Sequence, residues 1–384
     1  MKKNSLGNSL LYKNLLENGE NKKIDRTIDT SDDIAVLQYT GGTTGEPKGA
    51  MLTHLNLISQ VFTISQWKRG LERLPDTQYK IAGFLPYSHI FGLTSSFLWP
   101  IKEGATIYLV PDPRKLEEIM KIIDKHGIHF LNFVPIFFQK IATHRKLPKY
   151  DFSSLHLCIS GGEILPAETV ELFEEKTGGL LIEGYGLTEA SPVTHINPPS
   201  SSKRKIGSIG ITIPNTLAKI VDIETGETIT KTNEPGELWI KGPGVMKGYW
   251  RNKEATEDVL REGWLRTGDI AIVDEDGYFK IIDRLKDIII VSGFKVWPNE
   301  VEKILRMHLS ILEAAVVPYQ ANNGTKIKAI LVIKNGFDKP SLEEIRKHCK
   351  KYLAPYKIPK IIEYRDALPR SHVGKILRRE LKKS

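Results

Sequence analysis

The sequence is poor in cysteine and has no long hydrophobic run. Its two cysteines, Cys158 and Cys349, lie far apart and form neither a disulfide framework nor the spacing of a zinc site. No apolar stretch reaches the ~18 residues of a membrane helix. The start, MKKNSLGNSLLYKNLL, interrupts its apolar residues with Asn, Lys and Gly, unlike a signal peptide. We therefore expect a cytoplasmic protein with reduced thiols.

Acidic residues are scarce in the last quarter of the chain. Residues 286–384 carry 21 Lys and Arg against 10 Asp and Glu, and the whole chain has a formal net charge of +9. Such a region is usually a solvated lysine-rich face, but it can also meet a polyanion. Nucleic acid is not expected as a partner, because neither a recognition motif nor interleaved aromatic and basic residues are present. A nucleotide with several phosphates would fit equally well.

The hydrophobic pattern changes along the chain and predicts its organisation. Apolar runs such as HFLNFVP (129–135) alternate with amphipathic stretches such as KLEEIMKIIDKHG (115–127), which is typical of an α/β layered sheet. Further on, short strands are separated by turn residues. The predicted divisions are a weakly patterned or partial N-terminal segment (1–33), an α/β core (34–204), a β-rich subdomain (205–284) and a small α+β lobe (285–384).

A loop rich in glycine and threonine, TGGTTGEPKG (40–49), follows the apolar run IAVLQYT (34–40). We expect it to lie between a buried strand and a helix. It fits neither the P-loop template nor the dinucleotide fingerprint. Glycines nevertheless allow backbone N–H groups to approach an anion, and threonine hydroxyls and Lys48 add donors. On these residues alone, a phosphate-binding loop and a mobile surface turn both remain open.

The loop is the first of several segments that, taken together, resemble the adenylate-forming superfamily. That superfamily includes acyl-CoA synthetases, luciferases and the adenylation domains of peptide synthetases. The sequence EGYGLTEASPV is most similar to the corresponding motif of bacterial-type long-chain fatty-acid–CoA ligases. The segments are, in order, YTGGTTGEPKGAMLTH (39–54), LPYSHIFG (85–92), SGGE (160–163), EGYGLTEASP (183–192), RTGD (266–269), DRLKD (283–287), SGFKVWPNEVE (292–302) and PRSHVGKILRREL (369–381).

The resemblance implies a fold and a reaction. The expected fold is α/β, with a large lobe of layered sheets and helices, a β-rich subdomain and a small mobile α+β C-terminal lobe. The expected reaction joins a carboxylic acid, a medium- or long-chain fatty acid, to AMP from ATP, releasing pyrophosphate. Coenzyme A then takes the acyl group and AMP leaves. ATP, Mg²⁺ and coenzyme A are the implied cofactors and co-substrates.

Three other functions remain open at this stage. The chain could adenylate an aryl or amino acid, use a carrier-protein thiol as acceptor, or be a truncated, non-catalytic nucleotide-binding protein. The presence of Lys375 argues against a non-catalytic protein, because a protein that only binds a nucleotide has no need of a cation at the reacting phosphoryl group.

The resemblance also assigns nucleotide-binding residues. Tyr185 would offer a face to adenine, and Asp269, joined by Arg284, would accept hydrogen bonds from the ribose hydroxyls. The implied ATP- and AMP-binding residues are Thr40, Gly41, Gly42, Thr43, Thr44, Gly45, Lys48, Gly161, Gly162, Glu163, Glu183, Gly184, Tyr185, Gly186, Leu187, Asp269 and Arg284.

Catalytic roles follow from the same resemblance. Lys375 would stabilise charge at the reacting phosphoryl group, and Thr188 would bond the α-phosphate. Glu189 and Thr44 would supply the hard oxygen ligands that Mg²⁺ prefers. His89 would border the acid's carboxylate. Nucleophilic catalysis by the protein is not expected, because no Ser–His–Asp arrangement is evident.

The mobile lobe has two further assignments. Lys286 would be the hinge about which the lobe rotates. Ser292, Gly293, Phe294 and Lys295 would form the loop on the coenzyme A side.

The chain departs from the superfamily pattern at its beginning. Only about forty residues precede the glycine loop, where the family carries a long segment that supplies part of a sheet. We therefore expect either a fragment or a second polypeptide that completes the core. Peripheral membrane contact is left open by the sequence.

Overall fold

The computed structural model describes residues 27–40, 47–71, 77–110, 112–113, 115–322, 324–370 and 376–382. Its first elements are an antiparallel pair, β1 (Ile34–Tyr39) and β2 (Gly49–Thr53), in which Tyr39 lies opposite Gly49. Helix α1 (His54–Trp67) follows β2 directly. The side chain of Thr53 accepts the N–H of Asn56, and the Asn56 side chain accepts the N–H of Thr53, a reciprocal cap that starts the helix.

Two expectations for this region are wrong. The glycine loop joins two strands rather than a strand and a helix, because residues 49–53 form β2 before the helix begins. That strand is too short to show its alternation in the sequence. β1 is also not a buried strand. It lies at the edge of its sheet, and Tyr39 is 57% exposed.

The central sheet carries the expected alternation of strands and helices. Strands β4, β3, β5, β6 and β7 are parallel neighbours in that order, and β8 and β9 continue the sheet antiparallel. In chain order the elements are β3 (Lys80–Gly83), β4 (Thr106–Leu109), α2 (Leu116–His126), β5 (Phe130–Phe133), α3 (Pro135–Ala142), β6 (Leu157–Ser160), α4 (Ala167–Thr177), β7 (Leu180–Gly186), β8 (Val193–Ile196) and β9 (Ile211–Thr212).

The two faces of this sheet pack differently. Leu131, Cys158 and Leu181 belong to the large core formed with α2, α3 and α4. Their neighbours Phe130 and Leu157 point to the opposite face, because side chains alternate along a strand. There they belong to a second cluster with residues of α1 and of a helical stretch. That stretch consists of the consecutive segments Ile90–Leu93, Thr94–Leu98 and Trp99–Lys102.

A second, antiparallel sheet follows in sequence. Strands β11, β10, β12, β15 and β14 are neighbours in that order, and β16 pairs with β15. β13 instead pairs with β2, which ties this region to the first hairpin. The elements are β10 (Leu217–Val221), β11 (Thr228–Ile229), β12 (Gly236–Lys241), β13 (Gly248–Tyr249), α5 (Lys253–Val259), β14 (Leu260–Arg261), β15 (Trp264–Val273) and β16 (Phe279–Arg284).

The C-terminal part of the chain has its own core. β19 and β20 are antiparallel, and β21 is parallel to β20. Apolar residues of α6, α7 and these strands form one cluster. The elements are β17 (Ile289–Val291), β18 (Phe294–Val296), α6 (Pro298–Arg306), β19 (Ile311–Ala321), β20 (Gly324–Ile333), α7 (Leu342–Cys349), β21 (Ile361–Tyr364) and α8 (Arg378–Leu381).

The expected mixed α/β fold, with a large lobe and a small C-terminal lobe, is confirmed. The three boundaries between the four predicted divisions stay predictions. Within the described ranges, no helix combines the length and the apolar character that crossing a bilayer requires.

Candidate active site

A cavity lies between the central sheet and α1, and its empty space of about 1000 Å³ includes a part that is open to solvent. One end of it is formed where β6 and β7 finish, which is where ligands bind in open α/β sheets. Predicted site residues line this end: His89, Gly161, Gly162, Gly184, Tyr185, Gly186, Leu187 and Thr188. The structure thus brings residues from three separate sequence segments to one wall.

Tyr185, Asp269 and Arg284 form a contiguous group beside this wall. The Tyr185 hydroxyl donates to Asp269 Oδ2 at 2.6 Å, and Arg284 Nε lies 3.3 Å from Asp269 Oδ1. Asp269 and Arg284 are directly opposite each other on β15 and β16. Burial and the Asp269 charge raise the pKa of Tyr185 well above its usual value, so the hydroxyl is a donor at neutral pH. Asp269 in turn raises the pKa of Arg284.

Two glycines of the wall are required by the backbone. Gly162 has φ 89°, in the left-handed region that side chains disfavour. A Cβ on Gly186 would lie 2.0 Å from the Pro192 carbonyl oxygen. The close approach of β7 to the following turn therefore depends on glycine at position 186.

Glu189 lies in the short turn after Thr188 and is held by β13 and the connection that precedes it. The Tyr249 hydroxyl donates to Glu189 Oε1 at 2.7 Å, and the N–H of Met246 donates to the Glu189 carbonyl at 2.8 Å. Lys48 Nζ lies 5.1 Å from the centroid of the Tyr249 ring. Glu189 and Lys48 are therefore linked through a tyrosine that sequence reasoning did not single out.

The residues present fit a magnesium ion only in part. No group of three or more His, Cys, Asp or Glu side chains that could hold a metal occurs among the described residues. Mg²⁺ that serves phosphoryl chemistry usually takes one or two carboxylates together with substrate phosphates and water. Glu189 alone meets that lesser requirement.

His89 lines the cavity at the start of a helical segment. Its Nδ1 accepts the N–H of Phe91 at 3.2 Å and so caps Ile90–Leu93. Gln38 fixes the preceding residue by donating to the Ser88 carbonyl at 2.6 Å. The cap turns one ring nitrogen toward the backbone and leaves the imidazole at the cavity wall.

Glu163 faces the C-terminal lobe. The N–H of Ile376 donates to Glu163 Oε1 at 3.0 Å, and Arg370 Nη1 lies 3.4 Å from Glu163 Oε2. Arg370 also binds Glu313 at 2.6 Å. The described residues on both sides of segment 371–375 therefore contact the large lobe at Glu163.

Glu183 is enclosed at the edge of the site rather than at the cavity wall. It is buried and accepts the N–H of Leu165 at 3.3 Å. Burial raises its pKa to about 8, against the opposing effects of the Leu165 N–H and Lys280. The carboxyl is therefore mostly protonated at neutral pH.

The predicted hinge and coenzyme A residues lie in the C-terminal lobe, outside the cavity lining. Ser292 and Gly293 both have positive φ, 51° and 84°, and form the turn between β17 and β18. Phe294 stacks on Tyr356 with ring centroids 4.6 Å apart. Lys295 binds Glu224 of the second sheet at 2.6 Å.

Lys286 lies in the short turn just before β17. Burial and the neighbouring Arg284 lower its pKa. It therefore sits beside the Asp269 and Arg284 group, at the junction of the two lobes.

Six predicted residues lie outside the described residues, namely Gly41, Gly42, Thr43, Thr44, Gly45 and Lys375. The residues beside the glycine loop are described, and the N–H of Thr40 donates to the Lys48 carbonyl at 2.8 Å.

Sequence reasoning missed two groups, one beside Glu189 and one at the cavity. Tyr249 lies in the short stretch GYW (248–250). Its hydrogen-bond partner Glu189 is sixty residues away, so no local sequence pattern joins them. Lys68 lines the far end of the cavity and pairs with Glu103. Nothing in the sequence marked the second group, because the burial of Lys68 is visible only in the fold.

Comparison with protein families gives two matches. Residues 4–250 match the AMP-binding enzyme family, and residues 300–375 match the AMP-binding enzyme C-terminal domain.

The chain is also similar to curated proteins and to solved structures. It is 47% identical to a long-chain-fatty-acid–CoA ligase of Bacillus subtilis (strain 168), covering 92% of this chain and 62% of that protein. A ligase of the same name from Yersinia pestis is 40% identical, with coverages of 98% and 66%. The crystal structure of ATP-bound MatB from Rhodopseudomonas palustris superposes with a TM-score of 0.85 at 30% identity, covering 94% of this chain and 69% of that one. The chain thus spans slightly less than two thirds of the length of these curated relatives.

Proposed function

Since the chain belongs to the AMP-binding enzyme family, we propose that it activates a fatty acid by joining it to AMP and then transfers the acyl group to coenzyme A. In the first step a carboxylate oxygen attacks the α-phosphorus of ATP, and pyrophosphate leaves. In the second step a thiolate attacks the acyl carbon, and AMP leaves. The names of the curated relatives in Bacillus subtilis and Yersinia pestis support this acid and this acceptor.

The observation that carries the proposal is the double position of Tyr185. Tyr185 lines the large apolar cavity, and its hydroxyl donates a hydrogen bond to Asp269. A nucleotide held by Asp269 and Arg284 would therefore meet an acid whose chain fills the cavity. Holding two reactants in this way can supply several kcal/mol of the barrier, roughly 7–11 at best.

Three groups are candidates to interact with the charged phosphates of ATP. Thr188 lies on the cavity wall, and Lys48 lies beside Tyr249. Glu189 would hold Mg²⁺, which when bound would neutralise phosphate charge. Thr44 remains the proposed hydroxyl neighbour of that ion.

Lys375 remains the proposed phosphoryl-stabilising residue, although it lies outside the described residues. The support comes from its neighbours along the chain. Ile376 is bonded to Glu163, and Gly162, directly before Glu163, lines the cavity. The described neighbour of Lys375 along the chain therefore contacts the residue next to the cavity wall.

The contacts between the two lobes support a hinge motion between two conformations. Arg370 and Ile376 contact the large lobe at Glu163, while Lys295, beside the β17–β18 turn, contacts Glu224. Thiolation by way of residues 292–295 would need that turn to reach the cavity. We propose that rotation at Lys286 exchanges the two, as in hinge-type domain motions.

The predicted second polypeptide also stays a proposal. Helix α1 presents Leu55, Ile58 and Phe62 to solvent at helical spacing, 41%, 45% and 54% exposed. We propose that a further polypeptide segment packs on this stripe. Replacing Ile58 by Asp would then weaken that association without changing the helical content, and sedimentation velocity with circular dichroism would measure both.

The experiment for the main proposal separates the two half-reactions. The protein is incubated with ATP, Mg²⁺ and a fatty acid, and pyrophosphate release is measured; coenzyme A is then added, and AMP and the thioester are measured. Omission of the acid is the control and should abolish pyrophosphate release.

Three results would count against the proposal. ATP binding without pyrophosphate release favours a non-catalytic nucleotide-binding protein. Faster release with an aryl or amino acid changes the substrate. Adenylate formed without thioester on addition of coenzyme A favours another acceptor, such as a carrier-protein thiol.

A further inference from the structure

The cavity runs along the strands of the central sheet, from their carboxyl ends to their amino ends. Gly161 follows the last residue of β6, and Leu157 is the first residue of that strand; both line the cavity. Four residue steps separate them, which is about 13 Å at ~3.3 Å per residue. Phe130, the first residue of β5, lies beside Leu157 and lines the same end.

The end remote from the nucleotide wall is apolar around its sides. Trp99 and Tyr79 both contact Phe130 edge to face, with ring centroids 5.4 and 5.3 Å away. Ile64 and Trp67 of α1 complete this part of the lining. These mainly apolar surfaces suit a hydrocarbon chain.

Charged residues close this apolar end. Lys68 lines the cavity, pairs with Glu103, and places its Nζ 4.0 Å from the centroid of the Tyr79 ring. The side chains of Lys68 and Glu103 are only 8% and 10% exposed. Ser65 and Lys102 also donate to Glu103, at 2.6 and 2.9 Å.

The ion pair is saturated by protein groups. Burial opposes ionisation of Glu103, but hydrogen bonds from Lys68, Ser65 and Lys102 prevail and lower its pKa to about 2. The ammonium of Lys68 therefore already has its counter-charge and an aromatic face. A hydrocarbon that pushed into this pair would have to separate two buried charges, which is strongly unfavourable.

We propose that the buried Lys68–Glu103 pair is the end wall of the acyl site and sets the longest acid that the site accepts. This inference rests on the proposed function. A chain advances about 1.2 Å per backbone bond when extended, and the ~13 Å between the two ends therefore holds an acid of about twelve carbons.

The test measures binding, so that its outcome does not depend on turnover. Dissociation constants are determined by calorimetric titration of the full chain with straight-chain acids of eight to eighteen carbons. Each methylene that enters the cavity should tighten binding about fourfold. In the wild type this gain should stop near twelve carbons, and we call this chain length the break. A gain that continues unchanged to eighteen carbons would overturn the proposal.

A double variant moves the wall. Lys68→Ala with Glu103→Ala removes both charges together and leaves neither one buried without a partner. The break should then shift by at least two carbons, and the first two added methylenes should tighten binding about fifteenfold in total. A folded variant whose break stays in place would overturn the proposal.

Two controls separate the wall from other effects. Lys328→Ala with Glu363→Ala removes another buried-lysine pair, on β20 and β21 of the C-terminal lobe, and should leave the break unchanged. Lys68→Met with Glu103→Gln keeps the bulk of the pair but removes its charges, and should move the break by less than the double alanine variant does. A dicarboxylic acid that binds the wild type more tightly than the monoacid of equal length would show that Lys68 recognises an anion, and this too would overturn the proposal.

Pyrophosphate release distinguishes failure of this inference from failure of the proposed function. If pyrophosphate is released but no chain-length break is found, the proposed function is supported and the proposed end wall is contradicted. A break that is present without release with any acid supports the wall and removes the function.

Discussion

The two ends of the cavity are built from different kinds of residue. At the nucleotide end the wall comes from turns that carry recognisable motifs, with glycines at positions 161, 162, 184 and 186. At the far end it comes from side chains on α1, β5 and β6, closed by the Lys68–Glu103 pair. No sequence motif covers that far end.

Under the proposed function, the difference follows from what each end would recognise. Phosphates and ribose are the same in every nucleotide, and binding them needs fixed backbone geometry and fixed charges. A hydrocarbon chain is recognised by the length and shape of a cavity, which many combinations of side chains can provide. Motifs therefore report the chemistry of the site, while only the three-dimensional packing reports the size of the substrate.

The largest expected effect tests the motif end on a residue whose role comes from resemblance alone. Lys375→Ala should lower the rate of adenylation about 10²–10³-fold, because one stabilising group at a developing charge is lost. Thioester formation from supplied acyl-adenylate should be spared. Single-turnover assays of each half-reaction measure this.

Lys347→Ala is the control for that variant, since Lys347 is an exposed lysine of the same lobe. Equal loss in both half-reactions would contradict the assigned role of Lys375. It would also weaken the view that motifs identify the chemistry of the nucleotide end.

The second prediction tests the same end through its observed geometry. Asp269→Asn should raise the KM for ATP roughly 10–100-fold, because hydrogen bonds to a charged group are worth about 1.5–3 kcal/mol. Tyr185 and Arg284 would both lose their anionic partner. Steady-state kinetics at saturating acid measure the effect, with the exposed Asp258→Asn as control. An unchanged KM would remove Asp269 from the nucleotide site.

Much of the fold could be predicted, and what was missed has a physical reason. The alternation of apolar and amphipathic segments indicates the parallel core, because β5 and β6 lie in mostly apolar runs and α2 has a clear helical period. β2 was missed since five residues are too few to show a period of two. Lys68 and Glu103 lie thirty-five positions apart, and nothing in the sequence shows that the fold buries them together.

The third prediction concerns Glu183, a motif residue whose charge state is set by burial. Its pKa is about 8 in the folded protein and about 4.3 when unfolded. Between these values the folded state binds more protons, so its contribution to stability is greatest below pH ~4 and falls as pH rises toward 8. The upper limit is about 1.4 kcal/mol per pH unit.

Glu183→Gln should remove this contribution, since a glutamine does not titrate. The difference in free energy of unfolding between the wild type and the variant, measured by denaturant titration at pH 5, 6, 7 and 8, should therefore change steadily with pH. Glu175→Gln, on the surface of α4, serves as control and should give no such slope. The absence of any slope over this pH range would mean that Glu183 is already ionised in the folded protein, and would contradict the prediction.

The smallest expected effect tests a nucleotide-end residue that was not assigned from any motif. Tyr249→Phe removes the hydroxyl that donates to Glu189 and keeps the ring near Lys48. A hydrogen bond of this kind is worth about 1 kcal/mol net, so the Mg²⁺ concentration for half-maximal pyrophosphate release should change about threefold to tenfold. The maximal rate should change less, since Glu189 is retained and only its orientation is relaxed. Tyr319→Phe, on the exposed part of β19, is the matched control. A rate that falls without any change in the Mg²⁺ dependence would show that Tyr249 acts on the reactants themselves, so that the nucleotide end, like the far end, depends on a residue that no motif marks.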